Sequence, residues 1–158
     1  MARTPPLERS RSETTLRTAL FANAGFSTVT ATTLLLASDS VAGFTGIPGA
    51  ELRMVGVDLG LFALGLFALL TRDLTRTWVR AVVLAVIALD VLWVIGSAAL
   101  LLAPNSLTVA GQWTVGVVAC VVADFALFQG LGWRGMGREL AERREPAGPS
   151  PAATTEAA

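Results

Sequence analysis

The sequence predicts an all-α fold, a four-helix transmembrane bundle whose N- and C-termini both lie on the cytoplasmic side. Three observations carry that expectation. Of 158 residues, 53% are hydrophobic and the mean hydropathy is +0.62, higher than a water-soluble domain of this length normally shows. Four apolar stretches each approach the ~20 residues that a helix needs to cross about 30 Å of hydrocarbon. The basic residues, all of them arginine, fall almost entirely on one side of those stretches.

Taken in chain order, residues 1–16 are polar and Pro-containing and are expected as a disordered cytoplasmic tail. The four-helix transmembrane domain follows over 17–132, with spans near 17–38, 52–71, 79–103 and 108–131. Span one is diluted by Asn23, Ser27, Thr28, Thr30, Thr32 and Thr33. Its charged leader and the downstream Ser40-Val41-Ala42 also fit a cleaved signal peptide, but the run is long and polar for such a segment, which favours a retained span. The loop from Asp39 to Glu51 has Gly43, Gly46, Pro48 and Gly49 around Phe44 and Ile47, and reads as a turn-rich cap on the bundle mouth. Span three is apolar on every face except at Asp90 and Ser97, with no period-2 alternation of the kind that a barrel strand needs. After span four, residues 133–158 read as a cytoplasmic tail. In it Arg138 with Glu142 and Glu139 with Arg143 stand at i,i+4 spacing, which suits either a short helix or, the reading preferred on charge alone, a solvated stop-transfer flank, before a disordered Pro/Ala/Thr end at 146–158.

Arginine placement sets the direction. Arg3, Arg9, Arg11 and Arg17 precede or open span one, Arg72, Arg76 and Arg80 surround the middle loop, and Arg134, Arg138, Arg143 and Arg144 follow span four. Only Arg53 lies on the other side. Because cytoplasmic flanks carry the excess of basic residues, the pattern predicts an N-in/C-in topology. Trp78 and Trp133 at the inner boundary and Trp113 at the outer one fit an interfacial aromatic belt.

Composition narrows the chemistry. The chain has no His and one Cys, so it offers no imidazole proton shuttle, no His-based metal centre and no CxxC redox pair. Cys120, within an apolar run, reads as a small packed side chain. Neither a nucleophile with its base nor a phosphate-cradling loop is present, and Gly130, Gly132, Gly135 and Gly137 lack the strand that a dinucleotide site requires. The expectation is a protein without enzymatic activity, cofactor or metal. The arginine clusters, spread along membrane boundaries, suit anionic lipid rather than nucleic acid.

Three intramembrane carboxylates stand out: Asp58, Asp90 and Asp124. Each costs about 2.5–3.5 kcal/mol at the centre of an inserting helix, against roughly 0.3–0.6 returned by each Leu, Ile, Val or Phe. The thirteen such residues from Val82 to Leu102 carry Asp90 into the bilayer. Depth along the spans puts Asp58 in the outer third, Asp90 near the middle and Asp124 in the inner third. Span one supplies Asn23, Ser27 and Thr30 on one helical face, expected to point inward. Asp90 shares its face with Trp93 and Ser97, and Trp93 reads as packing. Two readings stay open, with a third beside them. The acids are hydrogen-bonded across the bundle as structural glue, or they are stations of a proton or cation pathway. In the third, one or more of them meets a partner protein.

Gly56 and Gly60 make a G-x-x-x-G in span two, with Gly65 and Ala68 further along, spacing that permits close helix contact with this chain, a second copy or a larger membrane partner. The run Leu52-Arg53-x-x-Gly56, then Phe62-Ala63, a short Arg-rich loop and Asp90-x-x-Trp93-Val94-x-x-Ser97 resembles small four-span bacterial integral membrane proteins of unknown function. The likeness covers spans two and three and implies a multi-pass protein of the bacterial plasma (inner) membrane, without implying an activity. The leading expectation is a structural or accessory membrane component. The alternative is a small proton- or cation-coupled transporter that uses the intramembrane Asp residues.

Overall fold

The computed structural model describes residues 10–104 and 107–142. They form five helices, α1 (Arg11–Leu36), α2 (Ser38–Thr45), α3 (Gly49–Leu70), α4 (Thr77–Leu102) and α5 (Val109–Glu142). All but α2 are long and apolar enough to cross a membrane. The terminal segments 1–9 and 143–158, with Arg3, Arg9, Arg143 and Arg144, lie outside the described residues.

Two boundaries differ from the sequence reading. Helix α1 starts at Arg11 rather than Arg17, so residues 11–16 are helical and not part of a disordered tail. Ser10 explains the early start: its hydroxyl accepts from the Glu13 amide at 3.1 Å, capping one of the orphan donors of the first turn. Glu13 then pairs with Arg17 one turn on, at 2.9 Å. Helix α5 runs unbroken through Glu142, so the fourth span and the short helix that the tail spacing allows are one element of 34 residues. At 1.5 Å per residue it extends about 51 Å, well beyond the hydrocarbon thickness.

The extra turns of α1 and α5 meet. Leu16 is fully buried and Met136 nearly so, and Gly132 lets α5 touch the α1 backbone: a Cβ there would lie 2.8 Å from the Leu16 amide nitrogen. With Leu20, Ala24, Leu66, Leu69, Val79, Val83 and Val86 these residues make one apolar core at this end of the bundle. Leu74, from the α3–α4 loop, is inserted into it and completely buried. In the same loop the Thr75 hydroxyl and amide both donate to Asp73 Oδ1, at 2.7 and 3.0 Å. These bonds hold the Asp73 carboxyl below the usual carboxylate range. The resulting stabilisation is present above the unfolded value and is lost as pH falls through the lowered folded one.

Helix α1 is the hub. It packs along α3 on one side and α5 on the other, while α4 packs along α5. Phe21 meets Phe67 of α3 edge-on at 6.3 Å, and Phe26 meets Phe125 of α5 at 5.7 Å. The threonines that weaken the first span are accommodated locally. Thr28, Thr32 and Thr33 donate to the carbonyls of Ala24, Thr28 and Val29 at 2.8–2.9 Å, so the hydroxyls reach the surface already satisfied.

At the opposite end the loop expected between spans one and two contains a helix, α2. Gly46, at φ 80°, ends it in the left-handed conformation that glycine adopts without strain. Arg53 ties α2 to α3, donating to Ser38 Oγ at 2.8 Å and to Asp39 at 2.9 Å. Its one exceptional placement on that side therefore has a local partner. The end of α2 clips α5: Thr108 donates through its amide to Thr45 O at 3.0 Å and through its hydroxyl to Phe44 O at 2.6 Å. That hydroxyl in turn accepts from the Gly111 amide at 2.9 Å. A Cβ on Gly111 would run into the Thr45 carbonyl.

The glycines thus divide. Gly56 lies against α1, where a Cβ would approach Leu34 Cβ to 3.1 Å; Gly60 has ordinary clearance from Ala31, and Gly65 faces open space. Gly132→Ala should cost about 1–3 kcal/mol by overpacking, whereas Gly65→Ala should stay within about 0.5 kcal/mol of the parent. Unfolding of both variants in mixed micelles measures the contrast, and equal effects would count against the α1–α5 contact.

Candidate functional site

Asp90 lies midway along α4 and is 4% exposed. Two amides from different helices converge on one of its oxygens. Asn23 Nδ2, from α1, donates to Oδ2 at 2.8 Å, and Gln129 Nε2, from α5, donates to the same atom at 3.0 Å. Ser27, one turn beyond Asn23, donates to Asn23 Oδ1 at 3.3 Å. Asn23, Ser27 and Gln129 are each almost wholly buried. The cluster therefore joins three helices at a single carboxylate oxygen, including α1 and α4, whose backbones do not pack closely.

Each helix positions its residue by the same rule. On α1, Leu16, Leu20, Asn23, Ser27 and Ala31 are all buried, a spacing of three and four that keeps one face inward. On α4, Val79, Val83, Val86, Asp90 and Ser97 do the same. On α5 the face comprises Val122, Ala126, Gln129, Gly132 and Met136. The polar residues simply occupy one layer of otherwise apolar seams.

Gln129 was not evident as a partner from its sequence setting. Its signal was available, since it is a strongly polar side chain within the apolar run 115–131, but an uncharged amide near a span end is easily read as boundary. Its carbonyl Oε1 is buried and accepts no hydrogen bond.

The other singled-out residues are placed differently. Ser97 is buried two turns from Asp90, and Thr30 is half-buried. Trp93 is 39% exposed and so lies at the margin of the Asp90 face. Asp58 and Asp124 are both exposed. Asp58 follows Gly56 and precedes Gly60 by two residues each, about 200° around the helix from the face that meets α1. Asp124 stands in the same relation to buried Val122 and Ala126. The three acids are thus not brought together: one is interior and two point outward. Cys120, expected to be packed, is exposed. It stands one turn from Asp124 and shares its outward face.

A second polar arrangement closes the arginine-rich end. Arg17 Nε pairs with Glu13, Nη1 donates to Leu70 O at 2.8 Å and Nη2 to Arg72 O at 3.2 Å. The guanidinium thereby satisfies the last carbonyl of α3 and one in the loop just after it, where a positive charge is favoured. Arg80 lies over the Trp133 ring at 5.1 Å, and Trp133 Nε1 donates to Arg80 O at 3.1 Å. Between α4 and α5 run two shallow apolar furrows, which share Ala126 and Leu127 and do not include Asp90.

No family model matches the chain, and no curated protein or solved structure is similar enough to count as a match.

The polar layer should act as a unit. A double-mutant cycle between Asn23→Ala and Asp90→Ala should give a coupling of about 0.6–1.7 kcal/mol, the range for interhelical hydrogen bonds in membranes. Additive losses in unfolding measurements would dissociate the two residues.

Proposed function

We propose that the chain is a non-enzymatic accessory component of the bacterial plasma membrane, in an N-in/C-in topology, that binds partners in the plane of the bilayer. The observation that carries the proposal is the outward placement of Asp58 and Asp124 within apolar helices. Intramembrane acids are costly and normally face a protein interior or a water-filled cavity. A short carboxylate on a lipid-facing surface is best accommodated by another helix that offers a hydrogen-bond donor or a basic side chain. Around Asp58 the outward face of α3 has Met54, Leu61 and Gly65, all exposed, and its small residues would let a partner approach. A proton or cation relay through all three acids gains support only at Asp90, because the other two leave the interior.

The topology rests on the eleven of twelve arginines assigned to one side. The contacts of Arg17 with the end of α3 and of Arg80 with Trp133 gather three of the arginine-bearing segments at one end of the bundle. The hub position of α1 supports its retention rather than cleavage, since the polar layer and much of the core depend on it.

Two measurements test this reading. Thr75→Cys should be labelled by a membrane-impermeant thiol reagent in inside-out vesicles and protected in intact cells; the reverse would invert the topology. A photo-reactive residue at position 61, with oxidative cross-linking through Cys120, should give protein adducts in native membranes. A dimer would identify a second copy and a heavier species a different subunit. Lipid adducts alone at position 61, with no disulfide formed through Cys120, would exclude the accessory role.

A further inference from the structure

The buried layer has two deficits that one ligand would remove. Asp90 has only neutral hydrogen-bond donors, and none of the ion pairs among the described residues includes it. Gln129 Oε1, meanwhile, is a buried acceptor with nothing donating to it. The two are close by covalent necessity. Oε1 and Nε2 share a carbon and stand no more than about 2.5 Å apart, and Nε2 is 3.0 Å from Asp90 Oδ2. The free carbonyl oxygen therefore lies within about 5.5 Å of the carboxylate.

We propose that Asp90 and Gln129 form a binding site for one monovalent cation, a proton or a sodium ion, at mid-depth in the bundle. A carboxylate in a low-dielectric interior needs a compensating positive charge, and an orphaned amide oxygen needs a donor or a hard cation. A sodium ion held between the two oxygens supplies both, and a proton on the carboxyl removes the buried charge and adds a donor beside the amide oxygen. Asn23 and Ser27 serve as the supporting shell: Ser27 orients the Asn23 amide, which orients the carboxylate. The donor set holds a single carboxylate among neutral oxygens, too little charge for a divalent ion, which commonly takes six or more oxygen ligands.

Among the described residues no ion pair reaches the site. Its hydrogen-bonded neighbours are Asn23 from α1, with Ser27 behind it, and Gln129 from α5, all neutral. Asp58 of α3 and Asp124 of α5 point outward. Arg80 is ten residues along α4, about 15 Å of helix away, and lies against Trp133. Arg17 is six residues from Asn23 and is engaged at the end of α3.

The test uses the full chain in lipid nanodiscs, comparing wild type, Asp90→Asn and Gln129→Leu. In the sodium arm, the melting temperature rises with sodium concentration when choline is the replacement ion, as ligand linkage requires. That response disappears in Asp90→Asn, and Gln129→Leu raises the sodium concentration for the half-maximal shift by about tenfold. In the proton arm, infrared spectra of ¹³C-aspartate-labelled protein show a carboxylic-acid carbonyl band at neutral pH. The band is absent from Asp90→Asn and displaced in Gln129→Leu. Should Asp90→Asn fail to fold, Gln129→Leu and the wild-type measurements still decide. Carboxylate bands alone, together with a melting temperature indifferent to sodium, would overturn the proposal.

Discussion

A polar group inside the hydrocarbon zone has no water to fall back on, so each must find its partner within the protein or in a neighbouring one. At Asp90 that requirement sets the rotation of three helices at once. Turning α1 by one residue, about 100°, would take Asn23 from the carboxylate and leave both groups unsatisfied. Apolar side chains alone discriminate weakly between such rotations, since lipid solvates a turned-out Leu as well as a neighbouring helix does. The polar layer therefore specifies an arrangement that the greasy surface would leave loosely defined.

The two ends of the bundle are secured by different means. At the arginine-rich end, the extended turns of α1 and α5, the inserted Leu74 and the Arg17 cap on α3 build a core that continues past the expected span limits. At the other end, where Arg53 is the one arginine among the described residues, α2 works as a hydrogen-bonded clip between α3 and α5. Helix α3 itself leans on α1 and α2, with no comparable packing against α4. This leaves its far side free and puts Asp58 on it.

Much of this was legible from the residues. The four long helices follow from apolar length alone, and the inward face of Asn23 and Ser27 follows from their four-residue spacing. The prominence of Asp90 followed from its depth. What the sequence could not supply was angular position relative to neighbours. Asp58, Asp90 and Asp124 look alike as acids in apolar runs, and only the packing distinguishes the interior one from the two that face out. Gly56 was readable as a contact because it sits in a spaced pair. Gly111 and Gly132 matter more, yet each is defined by the backbone it meets, Thr45 and Leu16, 66 and 116 residues away in the chain. Helix α2 was hidden for a related reason: its glycine-rich composition signals turns, and its stability comes from Arg53 and Thr108 rather than from its own residues.

The hub position of α1 has a consequence for biosynthesis. Asn23 leaves the ribosome 67 residues before Asp90, and Gln129 follows Asp90 by a further 39. At roughly 5–20 residues per second, α1 waits about 5–20 seconds in or beside the insertion machinery before its polar layer can be completed. Its exposed threonines, bonded to their own backbone, need no such delay. Asn23 does, so assembly of the native layer is gated by the arrival of the last helix.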